Sequence, residues 1–495
     1  MGPAEQSGLY LQPVKRMKTS DLPVLNRRKF FQLGALSVTG GWLTPLARPL
    51  RAATTERVSP RGSAECVIFV NMVGGPSQMD TFDLKELKTT PANLDVRTTK
   101  QGLKWPYRLL PETAGILDDL VIVRSMGAWE STHNLAQYWQ QVGHGFSSAR
   151  SKEMPSIGSV VAYELRDKGK SSDFLPPFVS MNFPAGGQNG FLLNEGFLDS
   201  AAAPLSMDLR NGLDVPFVLP DEYQSRYDRR MEFLKAFDTG RKVDPAWAPK
   251  RILEWESFTR GAHKMLKSPE IGKVFQLTGE ERNRYGSNAF GDACLIARNM
   301  VKAEAGARYI LLNQGGWDHH GFIYGSGDGE EVVPGKPKRG PGGVYGLSAQ
   351  FDQGFANLIR DLKETMSRNG NSTLLEKTFV LALGEFGRTP GPLNGIQGRD
   401  HWAAVRCGAF AGGGVKHAGR VIGATDEQAA KITRFDWHKN RPIFPEDVTA
   451  TIYSVLGIDW TKSLSGTPSG RDFVYVEPMS GTNFIGSTEV SELFI

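Results

Sequence analysis

The sequence predicts an α/β fold with a mostly parallel β-sheet that is covered by helices on both faces. Short apolar runs rich in branched residues end in glycine or polar clusters, as buried parallel strands do; they span residues 67–72, 120–123, 309–312, 379–383 and 405–410. Between them lie amphipathic helical patterns, the clearest with Phe351, Phe355, Leu358, Ile359, Leu362 and Met366 on one face. Strands that alternate with such helices are typical of a doubly covered sheet.

Composition and charge indicate an ordinary globular protein without a nucleic-acid partner. The chain has 495 residues, of which 40% are hydrophobic and 22% charged, enough to bury a large core. Its formal net charge is +5, from 58 basic and 53 acidic residues. Residues 1–53 hold eight of the basic and two of the acidic residues, which leaves 50 basic against 51 acidic in the remainder. The positive charge therefore belongs to the N-terminal segment.

That N-terminal segment resembles a twin-arginine signal peptide. Arg27 and Arg28 stand before Phe30 and Phe31, and a short glycine-broken apolar stretch follows at 33–46. This stretch is shorter than the roughly 20 apolar residues of a membrane span, and small residues follow it. We expect a signal peptide at 1–53, a periplasmic or extracellular domain at 54–495, and no membrane span after cleavage. The alternative is a basic and amphipathic N-terminus of a cytosolic protein.

Two internal segments stand out from the alternating pattern. Residues 175–273 mix proline-rich loops with charged helical stretches and predict a cap or subdomain. Residues 321–346 are crowded with glycine, proline and charge, which predicts a long inserted surface loop. The chain has only three cysteines, too few for a disulfide framework, and they are interpreted as small buried side chains.

Polar clusters follow the apolar runs, where ligands bind in open α/β sheets. After the first run, Asp80 could hold a cation, whereas Asp83 is more easily explained as a helix cap. After the second run, Ser131 and Thr132 precede His133 at the start of a predicted helix. A hydroxyl there could be a nucleophile for a phosphate or sulfate ester, or simply a cap.

The third cluster offers metal ligands of two kinds. Asp318, His319 and His320 follow the run at 309–312 in a glycine-rich turn. They supply the oxygen and nitrogen donors that zinc, manganese or iron accept.

The fourth cluster comes in two parts, after the run at 379–383. Glu385 could complete a cation site, as could Asp400 and His401. Arg388 and Arg399 could clamp an oxyanion. The alternative for the arginines is a network with carboxylates that fixes two loops.

Taken together, these motifs resemble one family over nearly the whole chain, from about residue 26 to 456. The family is the twin-arginine-exported domain of unknown function 1501, a branch of the alkaline phosphatase and sulfatase superfamily. The motifs are Gly74-Gly75-Pro76-Ser77, Asp80-Thr81-Phe82-Asp83, Gly316-Trp317-Asp318-His319-His320, Gly384-Glu385-Phe386-Gly387-Arg388-Thr389, Gly398-Arg399-Asp400-His401-Trp402 and Ala411-Gly412-Gly413-Gly414-Val415. The resemblance implies an alkaline-phosphatase-like fold and a metal-assisted hydrolase ancestry.

The resemblance also implies roles for individual residues, carried over by their order along the chain. The implied metal ligands are Asp80, Asp318, His320, Glu385 and His401, and the implied nucleophile is Ser131 or Thr132. Phe386 departs from the superfamily pattern because a histidine is expected there, which predicts that one metal site is altered or lost. The Cys/Ser-x-Pro-x-Arg motif of formylglycine sulfatases is absent from the sequence around the cysteines and Ser131, so that mechanism is not expected.

Two functions are compatible with these residues. The leading hypothesis is an exported metal-dependent hydrolase of phosphate or sulfate esters, acting on a small-molecule or polysaccharide substrate. Its cofactor would be a divalent metal ion, with zinc, manganese and calcium as candidates. The rival is a non-catalytic exported protein that keeps the fold and binds a carbohydrate, an anion or a partner in the same pocket. The sequence leaves the oligomeric state open.

Overall fold

The apolar runs of the sequence become the strands of a large central sheet. The computed structural model describes residues 58–183, 192–212, 221–240, 258–259, 261–325, 343–480 and 485–495. These residues belong to one unit, 58–495. The predicted signal peptide at 1–53 lies outside the described residues.

The described strands and helices alternate through most of the chain. The strands are β1 (Cys66–Met72), β2 (Val96–Thr98), β3 (Lys104–Pro106), β4 (Val121–Met126), β5 (Phe178–Met181), β6 (Leu205–Met207), β7 (Tyr309–Gln314), β8 (Thr378–Leu383), β9 (Gly387–Arg388), β10 (His401–Trp402), β11 (Arg406–Ala411), β12 (Val421–Ile422), β13 (Ala424–Thr425), β14 (Ile432–Arg434), β15 (Ser463–Leu464), β16 (Phe473–Val474), β17 (Met479–Ser480) and β18 (Ile485–Gly486). The α-helices are α1 (Pro111–Ala114), α2 (His133–Val142), α3 (Ile157–Glu164), α4 (Asp221–Gly240), α5 (Ile271–Phe275), α6 (Gly279–Arg284), α7 (Ala289–Ala303), α8 (Gly343–Glu364), α9 (Leu374–Lys377) and α10 (Pro445–Val455).

The main sheet of the described residues has eight strands in the order β12-β4-β11-β8-β1-β7-β5-β6. Strand β1 pairs in parallel with β7 and β8, β5 with β6 and β7, and β4 with β12. Strand β11 runs antiparallel to both of its neighbours, β4 and β8. The other seven strands of this sheet therefore share one direction, and the carboxyl ends of β1, β4, β7 and β8 meet at one edge of the sheet.

Alternate residues of the central strands pack into two separate hydrophobic cores. Ile68 and Val70 of β1 pack in a cluster with buried residues of α7 and α8, whereas Val67 and Phe69 pack in a second cluster with residues of α3 and α10. Both faces are apolar because both are covered, which is why these strands read as continuous apolar runs. The predicted α/β fold with a mostly parallel sheet and helices on both faces is confirmed.

Three details differ from the expectations. The predicted run at 405–410 corresponds to β11, which is antiparallel, because the β9–β10 hairpin turns the chain back beside β8. The first part of the predicted cap at 175–273 contributes β5 and β6 to the main sheet. Helix α8 begins at Gly343, so the last residues of the predicted loop at 321–346 are helical.

Among the described residues, no helix combines the length and apolarity that a membrane crossing requires.

Candidate metal centre

Four side chains from four segments meet at the carboxyl edge of the sheet. His133 is the first residue of α2, which follows β4; Asp318 and His320 follow β7; and His401 begins β10, in the hairpin that follows β8. One nitrogen or oxygen atom from each lies within 4.8 Å of the others. This is the one group of three or more histidine, cysteine or carboxylate side chains in metal-binding proximity within the described parts of the chain.

Each histidine of this group is oriented by an acceptor on its Nδ1 atom. His320 Nδ1 lies 2.7 Å from Asp400 Oδ1, and His401 Nδ1 lies 2.6 Å from the carbonyl oxygen of Ser131. His133 Nδ1 lies 2.7 Å from Glu385 Oε1. A carbonyl or an ionised carboxylate only accepts, so each Nδ1 must donate. The Nε2 atom of a neutral ring then carries the lone pair.

The three Nε2 atoms point towards one another and towards Asp318. His320 Nε2 and His401 Nε2 are 2.9 Å apart, and they lie 3.1 and 3.3 Å from Asp318 Oδ1. His133 Nε2 lies 3.2 Å from Asp318 Oδ2. Lone pairs this close repel unless a cation or a proton lies between them. Histidines whose Nδ1–H is held by a carboxylate or carbonyl, with Nε2 facing a shared point, are the usual arrangement of a metal site.

The electrostatics of the group also fit a cation. Burial acts to raise the pKa of Asp318, but hydrogen bonds from His133 and Arg388 outweigh it and hold the pKa well below its usual range. Burial acts to lower the pKa of His133, but hydrogen bonds to Asp318 and Glu385 raise it to about 9. Without metal, His133 is therefore protonated at neutral pH, and a metal ion would displace that proton.

The pKa of His401 is shifted in the opposite direction to that of His133. Burial, together with the nearby positive charges of Arg388 and His133, lowers its pKa. A neutral imidazole is the form that binds a metal ion, so His401 is ready to act as a nitrogen ligand at neutral pH. The ring of Phe386 packs against it, with centroids 4.5 Å apart, and also lies 4.9 Å from the His133 ring. Phe386 thus forms an apolar wall of the centre.

Glu385 contacts the four-residue group through His133. Its side chain is fully buried, and Oε1 accepts hydrogen bonds from the Gly74 amide at 3.0 Å and from Gln137 Nε2 at 3.2 Å, in addition to His133. The sequence predicted Glu385 as a ligand and did not include His133. The available signal was that His133 is one of only eight histidines and stands directly after the Ser131–Thr132 pair.

Asp80 is paired with a buried arginine. Its Oδ2 atom lies 3.0 Å from Arg399 Nε and accepts a hydrogen bond from the Ser77 hydroxyl at 2.5 Å, and its Oδ1 atom accepts one from the Tyr324 hydroxyl at 2.5 Å. Both Asp80 and Arg399 are almost completely buried. A charge taken out of water must be paired, and here the partner is a guanidinium. The structure does not place Asp80 in the four-residue group.

Arg388 connects the loops that carry the centre. Its guanidinium is fully buried and donates to the carbonyl oxygens of Gly75 and Arg399, both at 2.9 Å, and to that of Gly74. It also lies 2.5 Å from Asp318 Oδ1. Arg399 is held in a similar way, through the carbonyl oxygens of Thr389 and Gly391. Both arginines have the contacts expected of the alternative in which they fix two loops.

The close approach of these loops depends on glycine. Gly74 has a φ of 108°, and a Cβ atom there would lie 2.4 Å from the amide nitrogen of Asp318. Only glycine accepts both conditions. The loop after β1 can therefore lie directly against the loop after β7, where Asp318 and His320 are found.

The remaining predicted residues lie around the centre. His319 is buried, and burial together with Arg388 lowers its pKa to about 4; no hydrogen-bond partner is found for its Nε2 atom. Asp400 holds His320 and is half exposed. Ser131 and Thr132 are exposed, and Thr132 is the N-cap residue of α2 without a side-chain capping bond. Its hydroxyl is thus not used as a cap.

Comparison with known proteins gives one family and several solved structures of low similarity. No curated protein sequence matches the chain. Similar structures include a protein in the alkaline phosphatase superfamily from Vibrio parahaemolyticus, at 9% identity and a TM-score of 0.37, covering 88% of this chain and 76% of that one. A phosphonate monoester hydrolase from Silicibacter pomeroyi has 13% identity and a TM-score of 0.37, covering 87% and 76%. The lipoteichoic acid synthase LtaP from Listeria monocytogenes has 12% identity and a TM-score of 0.38, covering 87% and 77%. A family model matches residues 64–483, so the chain belongs to the family described as protein of unknown function (DUF1501).

Proposed function

We propose that this protein is an exported, metal-dependent hydrolase of phosphate or sulfate esters. The observation that carries the proposal is the arrangement of His133, His320 and His401. Each ring donates its Nδ1–H to a fixed acceptor and directs Nε2 towards the Asp318 carboxylate. Nε2 atoms that converge in this way need a proton or a cation between them, and a divalent ion could contact all three at once.

Three nitrogen donors and one carboxylate would hold the ion. Zinc, manganese and iron accept this mixture, whereas calcium takes six to eight oxygen ligands. The donor set therefore supports zinc or manganese rather than calcium among the candidates. When bound, a divalent ion supplies Lewis-acid polarisation of the ester and stabilises its developing negative charge.

Ser131 and Thr132 are the proposed nucleophiles. Both hydroxyls are exposed beside His133, and the peptide oxygen of Ser131 is anchored on His401 Nδ1 at 2.6 Å. This contact fixes the backbone at Ser131 relative to the centre. The attacking hydroxyl oxygen would form a bond to the phosphorus or sulfur atom while the bond from that atom to the leaving oxygen breaks, and the hydroxyl proton would pass to the departing alcohol. Water would then hydrolyse the ester formed on the hydroxyl and regenerate it. The start of α2 adds partial positive charge where the ester's oxygens would lie.

The decisive experiment combines metal analysis with an ester panel. Protein purified without chelator is measured for transition metals, and phosphomonoester, phosphodiester and sulfate ester substrates are assayed before and after chelation. We expect metal-dependent cleavage that His401→Ala abolishes, with an unchanged rate in the exposed control Glu427→Gln. Full cleavage in a metal-free sample would disprove the mechanism. A metal-loaded protein that cleaves no ester would favour the non-catalytic binding protein instead.

Export is a separate part of the proposal and rests on Arg27 and Arg28 before Phe30 and Phe31. Replacing both arginines with lysine is expected to leave the precursor in the cytoplasm, with the leader still attached. Cell fractionation and immunoblotting measure the outcome. Unchanged processing and export in the double variant would show that the twin-arginine assignment is wrong.

A further inference from the structure

An apolar cavity lies at the end of the sheet opposite to the metal centre. Its volume is about 390 Å³, and its wall includes the segments that directly precede β5, β6 and β7. These strands are parallel neighbours, so the residues before them lie at the amino edge of the sheet, whereas the metal centre lies at the carboxyl edge. The six residues of β7 alone span about 20 Å. One small ligand therefore cannot reach both sites.

The wall of the cavity is mainly apolar. Its large apolar side chains are those of Phe174, Leu175, Pro177, Leu205, Phe258 and Met265. Phe258 is 55% exposed, which is unusual for a phenylalanine unless its ring covers a site that another molecule fills. Concave sites of about 300 to 1,000 Å³ with mostly apolar walls are typical of small organic ligands. The cavity therefore has the size and the lining expected for the apolar part of a small molecule.

Backbone contacts hold this part of the wall in a fixed shape. The Leu175 amide donates to the carbonyl oxygen of Ala305, and the Arg308 amide donates to that of Pro177, both at 2.9 Å. Gly306 has a φ of 112°, and a Cβ atom there would lie 2.8 Å from the Leu175 carbonyl oxygen. Only glycine allows the two segments to approach this closely. A cavity that is formed before its ligand enters lowers the entropic cost of binding.

The charged side chains of the cavity are mostly basic. One carboxylate, that of Asp173, stands against four cations, those of Arg166, Lys170, Lys264 and Arg308. Asp173 Oδ2 lies 4.0 Å from Arg308 Nη2 and accepts a hydrogen bond from the Lys170 backbone amide at 2.8 Å. The ammonium groups of Lys170 and Lys264 are exposed, and neither has an ion-pair partner within the described ranges. The cavity thus offers a surplus of positive charge to a ligand.

Two residues of the wall also carry a buried polar atom that lacks a hydrogen-bond partner. These atoms are Asp173 Oδ1 and Ser200 Oγ, and their residues are only 8% and 3% exposed. A buried polar atom without a partner is costly, and it marks a place where water or a polar group of a ligand completes the contacts. This observation is independent of the cavity's shape and charge, and it points to an occupant as they do.

From these features we propose that the cavity binds an amphipathic carboxylate, with its apolar chain against the wall and its carboxylate group beside Lys170, Lys264 and Arg308. The hydrophobic effect holds the chain. The ammonium and guanidinium groups hold the carboxylate through charge-assisted hydrogen bonds. A neutral head group would not use these cations, and a cationic head group would be repelled by them. The site is independent of the proposed hydrolase function because it lies at the opposite edge of the sheet.

The test compares four ligands by isothermal titration calorimetry on the full chain. They are dodecanoate, dodecanol, dodecyltrimethylammonium and butyrate, each below the concentration at which it forms micelles. We expect dodecanoate to bind about tenfold or more tightly than dodecanol, and dodecyltrimethylammonium to bind more weakly than both. Butyrate, which lacks most of the chain, should bind at least about a hundredfold more weakly than dodecanoate. Dodecanoate affinity should be equal in metal-loaded and chelated protein, which separates this site from the metal centre.

Two variants locate the ligand in the cavity. Ala262→Trp puts a large ring at an exposed position of the wall and should abolish binding of both dodecanoate and dodecanol. Its matched control is Ala149→Trp, at an exposed position outside the cavity.

The combined Lys170→Gln and Lys264→Gln variant should weaken dodecanoate binding by about fivefold and leave dodecanol unchanged. Its control combines Lys88→Gln and Lys416→Gln, which remove the same charge from two exposed positions elsewhere. Equal Tm values of each variant and its control show that the fold is intact.

Each possible failure identifies a different error. Equal affinity for dodecanoate and dodecanol would overturn the carboxylate assignment. Binding that survives in Ala262→Trp, or that disappears on chelation, would place the ligand outside this cavity. If light scattering shows a dimer of the wild type that Ala262→Trp dissociates, a second copy of the chain covers the cavity and the proposal is wrong.

Discussion

Replacing Glu385 with glutamine tests whether a carboxylate that contacts a histidine of the centre controls the metal affinity. Glu385 is fully buried and touches the centre only through His133, at 2.7 Å from Nδ1. Glutamine has the same shape and can keep its carbonyl oxygen at the Oε1 position, which accepts from His133, Gly74 and Gln137. The change therefore removes the negative charge while leaving the hydrogen bonds largely in place.

The expected loss of metal affinity follows from the effect of a carboxylate that accepts a hydrogen bond from a ligating histidine. It raises the basicity of the ring, and its loss typically weakens metal binding 10- to 100-fold, about 1.4 to 2.7 kcal/mol. The same carboxylate is one of the groups that raise the pKa of His133 to about 9, so the substitution should lower that pKa in the metal-free protein. Competition titration with a chromophoric chelator measures the affinity, and NMR of the histidine rings measures the pKa.

Glu427→Gln, an exposed change of the same chemistry, serves as the control and should bind metal like the wild type. If Glu385→Gln also keeps both the wild-type affinity and the wild-type His133 pKa, then Glu385 does not tune the centre. A loss of folding, seen as a changed thermal transition of the metal-free protein, would be separated from the metal effect by measuring Tm without metal.

Three further outcomes follow from the geometry. His401→Ala should weaken metal binding by at least about tenfold, whereas a combined Ser131→Ala and Thr132→Ala variant should keep its metal and lose turnover; elemental analysis and ester assays separate the two. The pKa of His133 is raised to about 9 without metal, so metal binding must release a proton from this ring. The metal affinity should therefore fall as the pH drops below about 9, by up to about tenfold per pH unit. A metal affinity that is independent of pH between 6 and 8 would contradict this. Gly74→Ala, with φ at 108° and a Cβ 2.4 Å from the Asp318 amide, should cost about 2 kcal/mol or more of unfolding free energy, which chemical denaturation would measure.

The fold could be predicted because the sheet is buried on both faces. Strands β1, β7 and β8 are continuous apolar runs in the sequence, and their burial is complete or nearly so. Such a run does not reveal its direction, so the antiparallel β11 could not be distinguished from its parallel neighbours. Strands β5 and β6 have four and three residues and lie near prolines, which left too little pattern to detect.

The site could be predicted in part, for a related reason. Position after a strand predicts the edge at which a side chain lies, and Asp318, His320 and His401 do meet there. It does not predict which way the side chain turns. Glu385 turns back to the Gly74 amide and His133, and Asp80 turns to Arg399. Both choices depend on partners more than 200 residues away in sequence, which local patterns cannot show.

These two choices have one physical cause. The loops at this edge approach so closely that their carboxylates are out of water, and a buried carboxylate needs either a cation or several hydrogen-bond donors. Asp80 obtains a guanidinium and Glu385 obtains an amide, a side-chain amide and an imidazole. Asp318 also contacts a guanidinium, that of Arg388, but it remains partly exposed beside the Nε2 atoms of three histidines. Burial thus separates carboxylates that hold the scaffold from the one that remains available to a metal ion, although all three read alike in the sequence.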